Sequence, residues 1–404
     1  MVSVPRLIVY IEDLPLHFSF SARGLSKAIV PSLLALKPLT NFLVSVQCHQ
    51  YYSSKSLFDF RDNSLVTGRF VHAIYRFLYK LPDIFMLAFS TFHLFFISLS
   101  LRIFCRLKYS DYKPVLFCVS GSDPFTVIRA FLLSKYLSVD LDLYLVDIFD
   151  LSISRSSSIV SRILRIAIGQ CRRSYCITDG LCSLIRSEYG RKSSVLPLST
   201  IDYISSHNYF NSVITTNAHA FSKKILFLGS INHLYISPVR QLLDYLSSLY
   251  PQFEFSFEFV STEHDFYKLF PGNTAPLWAS YSQYSDSELS TVIAQADLCF
   301  CPYSFDPLDQ RMVSTSFPSK LITYLSSAKL ILVYAPHYSS AASLFIDNSL
   351  SFYASNLSEM KSQVFKILSS NISINYSSHY KSLVKSHFSR ENIYSIVSKA
   401  LLEK

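Results

Sequence analysis

The apolar positions of this 404-residue chain fall into short, nearly continuous runs, separated by segments with helical spacing. Residues 7–11, 115–119, 141–146, 174–178, 195–198, 224–228, 253–260, 298–301 and 330–334 are such runs, and 41–46 is a weaker one. Short apolar runs bounded by turn residues predict strands buried on both faces. Between them the pattern predicts helices at 125–137, 238–250, 286–294, 318–326 and 339–345, and one ending at Gly190. The clearest sets Leu242, Leu243, Leu246 and Leu249 on one face. Asp123 stands where it would cap the helix at 125.

Strand and helix alternate in both halves of the chain. That order predicts an α/β protein of two doubly wound parallel sheets facing a cleft, with ligands at the carboxyl ends of the strands. Residues 202–221 are polar and rich in Ser, Asn, Thr and His, which reads as a linker. The expected division is therefore 1–201, a linker at 202–221, and 222–404.

Composition supports large cores, because half the residues are apolar and 16% are charged. The net charge of +9 is unevenly spread: residues 1–200 carry 23 Lys and Arg against 13 Asp and Glu, and residues 201–404 carry 14 against 15. A basic first half points to an anionic membrane surface or an anionic acceptor. Nucleic acid is not expected as a partner, since no basic run is interleaved with aromatics. The eight cysteines form no Cys-x-x-Cys pair, and Cys299 and Cys301 alternate within one strand. Buried, reduced thiols are the expectation. The first residues lack signal-peptide architecture, so a cytoplasmic location is expected.

Residues 84–101 contain no Asp, Glu, Lys or Arg, and Lys80, Arg102, Arg106 and Lys108 flank them. The length is at the lower edge of a membrane span. Three serines, a threonine and His93 interrupt it. Three readings stand: an interfacial helix, a packed helix of the first domain, or a span that would split a continuous α/β domain.

The segment 296–334 carries the most chemistry. It runs Ala296-Asp297-Leu298-Cys299-Phe300-Cys301-Pro302, then a polar loop, then Ser316-Phe317-Pro318-Ser319-Lys320-Leu321, then a helix and a strand. With the strand-and-glycine opening Leu226-Phe227-Leu228-Gly229, this resembles the donor-binding half of retaining GT-B glycosyltransferases. The family 4-like enzymes that build bacterial surface polysaccharides are the nearest resemblance. It covers nearly the whole chain, with its specificity in 224–335. It implies two Rossmann-like domains, a nucleotide-sugar donor, a lipid-linked or growing glycan acceptor, and a peripheral place at the inner face of the plasma membrane. It also implies a metal-independent reaction without a cofactor.

By the same resemblance, Gly229, Ser230, Arg311, Phe317, Pro318, Ser319, Lys320 and Thr323 fall on the donor diphosphate and ribose side, and Trp278 and Tyr281 on the nucleobase side. Asp147 and Asp150 fall where a catalytic or acceptor-contacting acid is expected, with His17, Ser120 and Gly121 on the acceptor side. A departing diphosphate needs positive charge and N–H donors, and a helix start at 316–319 followed by Lys320 offers both. The plain alternatives are a solvated Lys320, a surface Arg311, a packed Trp278 and capping carboxylates at Asp147 and Asp150. Two family carboxylates are replaced here, by Thr315 and Thr323, and the basic residues that follow the opening glycine are replaced by Ser230-Ile231-Asn232-His233. Beside a transferase, two further readings follow: an inactive GT-B-like binding partner, and an integral membrane protein with a cytosolic α/β domain.

Overall fold

The computed structural model describes residues 6–12, 40–47, 114–121, 124–148, 157–199, 223–270, 272, 274–284, 286–369 and 377–402. His17, Asp123, Asp150, the 84–101 stretch and the whole of the predicted linker lie outside them. The chain divides into two units, Met1–Leu198 with Ile393–Lys404, and Ser199–Asn392.

The first unit holds strands β1 (Arg6–Glu12), β2 (Thr40–Gln47), β3 (Pro114–Ser120), β4 (Asp140–Leu145), β5 (Arg173–Cys176) and β6 (Ser194–Val195). Its helices are α1 (Pro124–Leu137), α2 (Ser157–Gln170) and α3 (Asp179–Tyr189). The sheet is parallel in the order β2-β1-β3-β4-β5-β6. Its central strands are buried on both faces, and Val115, Leu116, Leu143 and Leu145 expose nothing. Asp142 is the polar exception within β4. Arg172 holds it with two hydrogen bonds of 2.9 and 2.6 Å, which offset part of the desolvation of a carboxylate that is 1% exposed; burial prevails and leaves its pKa raised.

The second unit runs β7 (Lys223–Leu228), α4 (His233–Leu249), β8 (Phe255–Val260), α5 (Glu263–Tyr267), β9 (Ala279–Ser282), α6 (Asp286–Gln295) and β10 (Leu298–Pro302). It continues with α7 (Gln310–Thr315), α8 (Ser319–Ser326), β11 (Ile331–Tyr334), α9 (Ser340–Asp347), β12 (Tyr353–Ala354), α10 (Leu357–Ser369) and α11 (Ser377–Leu383). Helix α12 (Arg390–Leu402) ends the described chain and from Ile393 onward belongs to the first unit. The second sheet is also parallel, in the order β12-β11-β10-β7-β8-β9. Phe227, Phe257 and Phe259 pack beneath α4, whose Val239, Leu242 and Leu246 are fully buried.

Helix α4 begins five residues before the proline that the pattern takes as its start. Asn232 accepts a hydrogen bond from the Leu234 N–H (3.0 Å), which caps the first turn. Pro238 is therefore inside the helix and buried. The consequence is local but decisive, because the start of α4 moves to the residues just after Gly229. Among the described residues no helix is long and apolar enough to cross a membrane.

Glu258 on β8 is the buried carboxylate of the second sheet. It is 6% exposed, lies 2.6 Å from Lys224 Nζ and accepts a hydrogen bond from the Tyr284 hydroxyl (2.7 Å). Burial pushes its pKa up, but the hydrogen bonds from Lys224, Tyr284 and Ser282 outweigh burial and hold it below the ordinary 4.5. A carboxylate with a depressed folded-state pKa stabilises the fold above its unfolded pKa and stops doing so as pH falls through the folded value. Urea denaturation of Glu258→Gln should thus show a loss of about 2 kcal/mol at pH 7. Below pH 4 the difference from wild type should shrink.

Candidate functional site

The order of the second sheet reverses between β7 and β10. Strands β7, β8 and β9 run outward on one side, and β10, β11 and β12 on the other. In open parallel sheets that switch point opens a crevice at the carboxyl ends of the two central strands. Strand β7 ends at Leu228, and the chain turns at Gly229 with φ +103°, a left-handed value that favours glycine. The Gly229 N–H donates to the Val260 carbonyl (3.0 Å), which fixes the turn against β8. Asn232 then starts α4, so the helix N-terminus faces the crevice across only three residues.

Lys320 reaches into this turn from α8. A Cβ placed on Gly229 would lie 3.7 Å from Lys320 Nζ. The same nitrogen sits 4.0 Å from the centroid of the Phe227 ring and 3.8 Å from that of Tyr235. Its stem is half-buried, whereas Nζ itself is enclosed and makes no hydrogen bond. Burial lowers its pKa from 10.5 to about 8. The neighbouring Cys301 thiol is no counter-ion: burial pushes its pKa up to about 12, so it is neutral. The charge rests on two aromatic faces, each worth about 0.5–2 kcal/mol.

The helix that carries Lys320 is held to the same strand. The Leu228 N–H donates to the Tyr324 hydroxyl (2.8 Å), and Tyr324 is fully buried. Lys320 and Tyr324 are four residues apart and so share one face of α8. Ser316 shares a hydrogen bond with the Tyr303 hydroxyl (3.1 Å), and its carbonyl accepts from the Ser340 hydroxyl. Tyr303 stacks on Tyr235 at 5.9 Å, which closes the aromatic wall. Pro318 stands at the N-cap of α8 with no side-chain cap, and its carbonyl accepts the Leu321 N–H (2.8 Å), so only the Ser319 and Lys320 N–H groups of the first turn lack a carbonyl of this helix.

Several other candidates lie around this point. Gly229 and Ser230 are exposed at the end of β7, and Ser319 and Thr323 are half-buried on α8. Phe317 packs on Phe388 at 5.7 Å. Arg311 is exposed on α7, and its carbonyl accepts the Thr315 hydroxyl (2.8 Å). Thr315 thus turns its oxygen into its own helix. His233, at the first turn of α4, lies 3.7 Å from Asp309, a pair that the motifs did not single out.

Trp278 and Tyr281 are not part of this group. They lie before and on β9, two strands from β7 at the sheet edge. Trp278 is 7% exposed and packs edge-on against Phe255 at 5.3 Å. Tyr281 packs on Phe266 at 5.1 Å. In the first unit, Ser120, Gly121 and Asp147 gather at the ends of the paired strands β3 and β4, where the Val146 N–H donates to the Ser120 carbonyl (2.9 Å). Asp147 is half-buried, and burial raises its pKa against one opposing hydrogen bond from the Ile148 N–H (2.9 Å). The aromatic residues Phe227 and Tyr235 are what the sequence reading passed over. The available signal was their placement on either side of Gly229.

No protein-family model matches this sequence, and no curated protein matches it. Solved structures do. Sucrose-phosphate synthase from Thermosynechococcus elongatus superposes with a TM-score of 0.63 at 10% identity, covering 98% of both chains. An α,α-trehalose-phosphate synthase (UDP-forming) from Burkholderia vietnamiensis gives 0.60 at 12% identity over 98% of this chain and 99% of that one. HepE of Anabaena, solved in complex with UDP, gives 0.60 at 11% identity over the same shares. The chain therefore has the GT-B fold, with two Rossmann-like α/β units.

The enclosed ammonium has a measurable consequence for stability. Below pH 8 Lys320 is charged in both the folded and the unfolded chain, and the folded state bears its desolvation. Between pH 8 and 10.5 the folded state sheds the proton first, so stability rises. Lys320→Met should therefore be more stable than wild type at pH 7 by about 1–3 kcal/mol, after allowance for the lost ring contacts. Urea denaturation at pH 7 and 9.5 should show that gap closing at the higher pH.

Proposed function

We propose that this chain is a glycosyltransferase. It takes a sugar from a nucleotide-diphosphate donor and passes it, with retention of configuration, to a lipid-linked or growing glycan acceptor in cell-surface polysaccharide synthesis. The observation that carries this reading is the enclosed Lys320 ammonium, without a hydrogen-bond partner, at the switch point of the second sheet. A cation held there with no anion of its own is built for one that arrives. The neighbouring α4 N-terminus and the bare backbone at Gly229 suit a phosphate. One structural neighbour was solved with UDP and another is described as UDP-forming, which supports a uridine nucleotide as the first donor to test.

In the proposed reaction the bond between the sugar's anomeric carbon and the diphosphate breaks, and a bond to an acceptor oxygen forms. Lys320 and the helix N-terminus stabilise the negative charge that develops on the departing phosphate. These protein groups take the place of a metal in the proposed scheme. Gly229, Ser230, Pro318 and Ser319 line the phosphate side, with Arg311 as a second cation. Asp147, whose burial raises its pKa, is the proposed group that accepts the acceptor's proton. The protein is proposed to work at the inner face of the membrane, where such acceptors are presented. Thr315 and Thr323, which offer no carboxylate, support a second reading in which the nucleotide is held without turnover.

The decisive measurement is calorimetric binding of UDP, GDP, CDP, ADP and dTDP, followed by a transfer assay with the matching sugar nucleotides. One nucleotide should bind, and Lys320→Met should abolish that binding. Affinity should also fall about tenfold between pH 7 and 9, as Lys320 loses its proton near pH 8. If no diphosphate binds, or if the methionine variant binds like wild type, the reading fails. Binding without turnover of any donor would select the second reading.

Asp147→Asn separates the two roles. It should leave nucleotide affinity within about twofold and lower the transfer rate by at least about a hundredfold. An unchanged rate would remove Asp147 from the chemistry.

A further inference from the structure

Helix α2 has two faces of different character. Val160, Leu164, Ala167 and Ile168 expose nothing and fix it on the first unit's core. An exposed flank of the helix carries Ile159, 50% exposed, and Ile166, 42% exposed. Half-buried Ile163 lies between them, so the three isoleucines form one stripe at i, i+4 and i+7. Arg162 and Arg165 are both exposed and lie along one side of that stripe. The helix contains no Asp or Glu. A face meant for water alone would be expected to mix charges of both signs and to spare large β-branched residues.

We infer that this face of α2 docks on an anionic lipid surface. The arginines meet lipid phosphates, and the isoleucine stripe dips into the boundary between headgroups and acyl chains. Charge complementarity commits the assignment, because the whole basic excess of the chain lies in residues 1–200. An amphipathic helix with arginines beside an aliphatic stripe is a standard interfacial pattern. The buried residues keep α2 on its domain, so docking is shallow and leaves the fold intact. The inference rests on the membrane placement proposed above and names the surface that makes it; a failure of vesicle binding would leave the nucleotide-binding test untouched.

The test uses the full chain and two sets of vesicles, phosphatidylcholine alone and phosphatidylcholine with 30% phosphatidylglycerol. Wild type should sediment with the anionic vesicles, and 0.5 M salt should weaken this. Arg162→Gln with Arg165→Gln, and separately Ile159→Ser with Ile166→Ser, should each lower partitioning about tenfold while leaving thermal unfolding unchanged. Ile166→Trp gives a local readout, because the one native tryptophan, Trp278, is buried. Its added emission should shift to the blue on anionic vesicles. No blue shift, or wild-type partitioning in both double variants, would overturn the inference. So would a dimer in sedimentation velocity that the serine variant dissociates, since the occupant of the face would then be a second copy of the chain.

Discussion

An ammonium ion without a counter-ion sets the terms for the second unit. Lys320 Nζ is enclosed by Phe227 and Tyr235 and is close to the turn at Gly229. Such a group is tolerated only where the surroundings are rigid enough to hold it and polarisable enough to soften its desolvation. The rigidity is visible in the neighbouring bonds. Tyr324 ties α8 to the end of β7, Gly229 ties the turn to β8, and Asn232 fixes the start of α4. Each is a neutral hydrogen bond, so none competes for the charge. The arrangement costs stability, which is consistent with the binding role proposed for it.

Two buried carboxylates, Asp142 and Glu258, are treated in the opposite way. Asp142 is matched by Arg172, which offsets part of its burial, and Glu258 by Lys224 and its neighbours, which outweigh it. Both pairs sit within sheets and align the strands that carry them. The contrast between these matched carboxylates and the enclosed Lys320 ammonium is what motivates the role proposed for Lys320. That comparison needs coordinates, because in the sequence all of these residues are just charged positions next to apolar runs.

Much of the fold was legible in the chain itself. Continuous apolar runs at 115–119, 141–146, 224–228, 298–301 and 330–334 became β3, β4, β7, β10 and β11, because parallel strands covered on both faces admit few polar residues. Lys320 was legible as a candidate from its helix start and its resemblance to a known segment. Its partners were not, since Phe227 and Tyr235 are distant in sequence and look like ordinary core residues. The start of α4 was misplaced because Pro238 is the stronger local sign of a helix N-terminus, while Asn232 acts through a single side-chain bond. Trp278 fell on the nucleobase side by resemblance, with packing as the plain alternative, and in the fold it packs beside Phe255. Periodicity reports burial well and reports the direction of a side chain poorly.

The enclosed lysine also bears on how long such a protein survives in a cell. A fold that carries an unbalanced charge is held below its attainable stability until an anion arrives. Any ligand that binds only the folded chain adds stability by mass action, about 2.7 kcal/mol when present at a hundred times its dissociation constant. Protease susceptibility follows the population of opened chains. If the nucleotide proposed above occupies this site, the abundance of the protein would track its supply, with starvation thinning the pool and plenty protecting it.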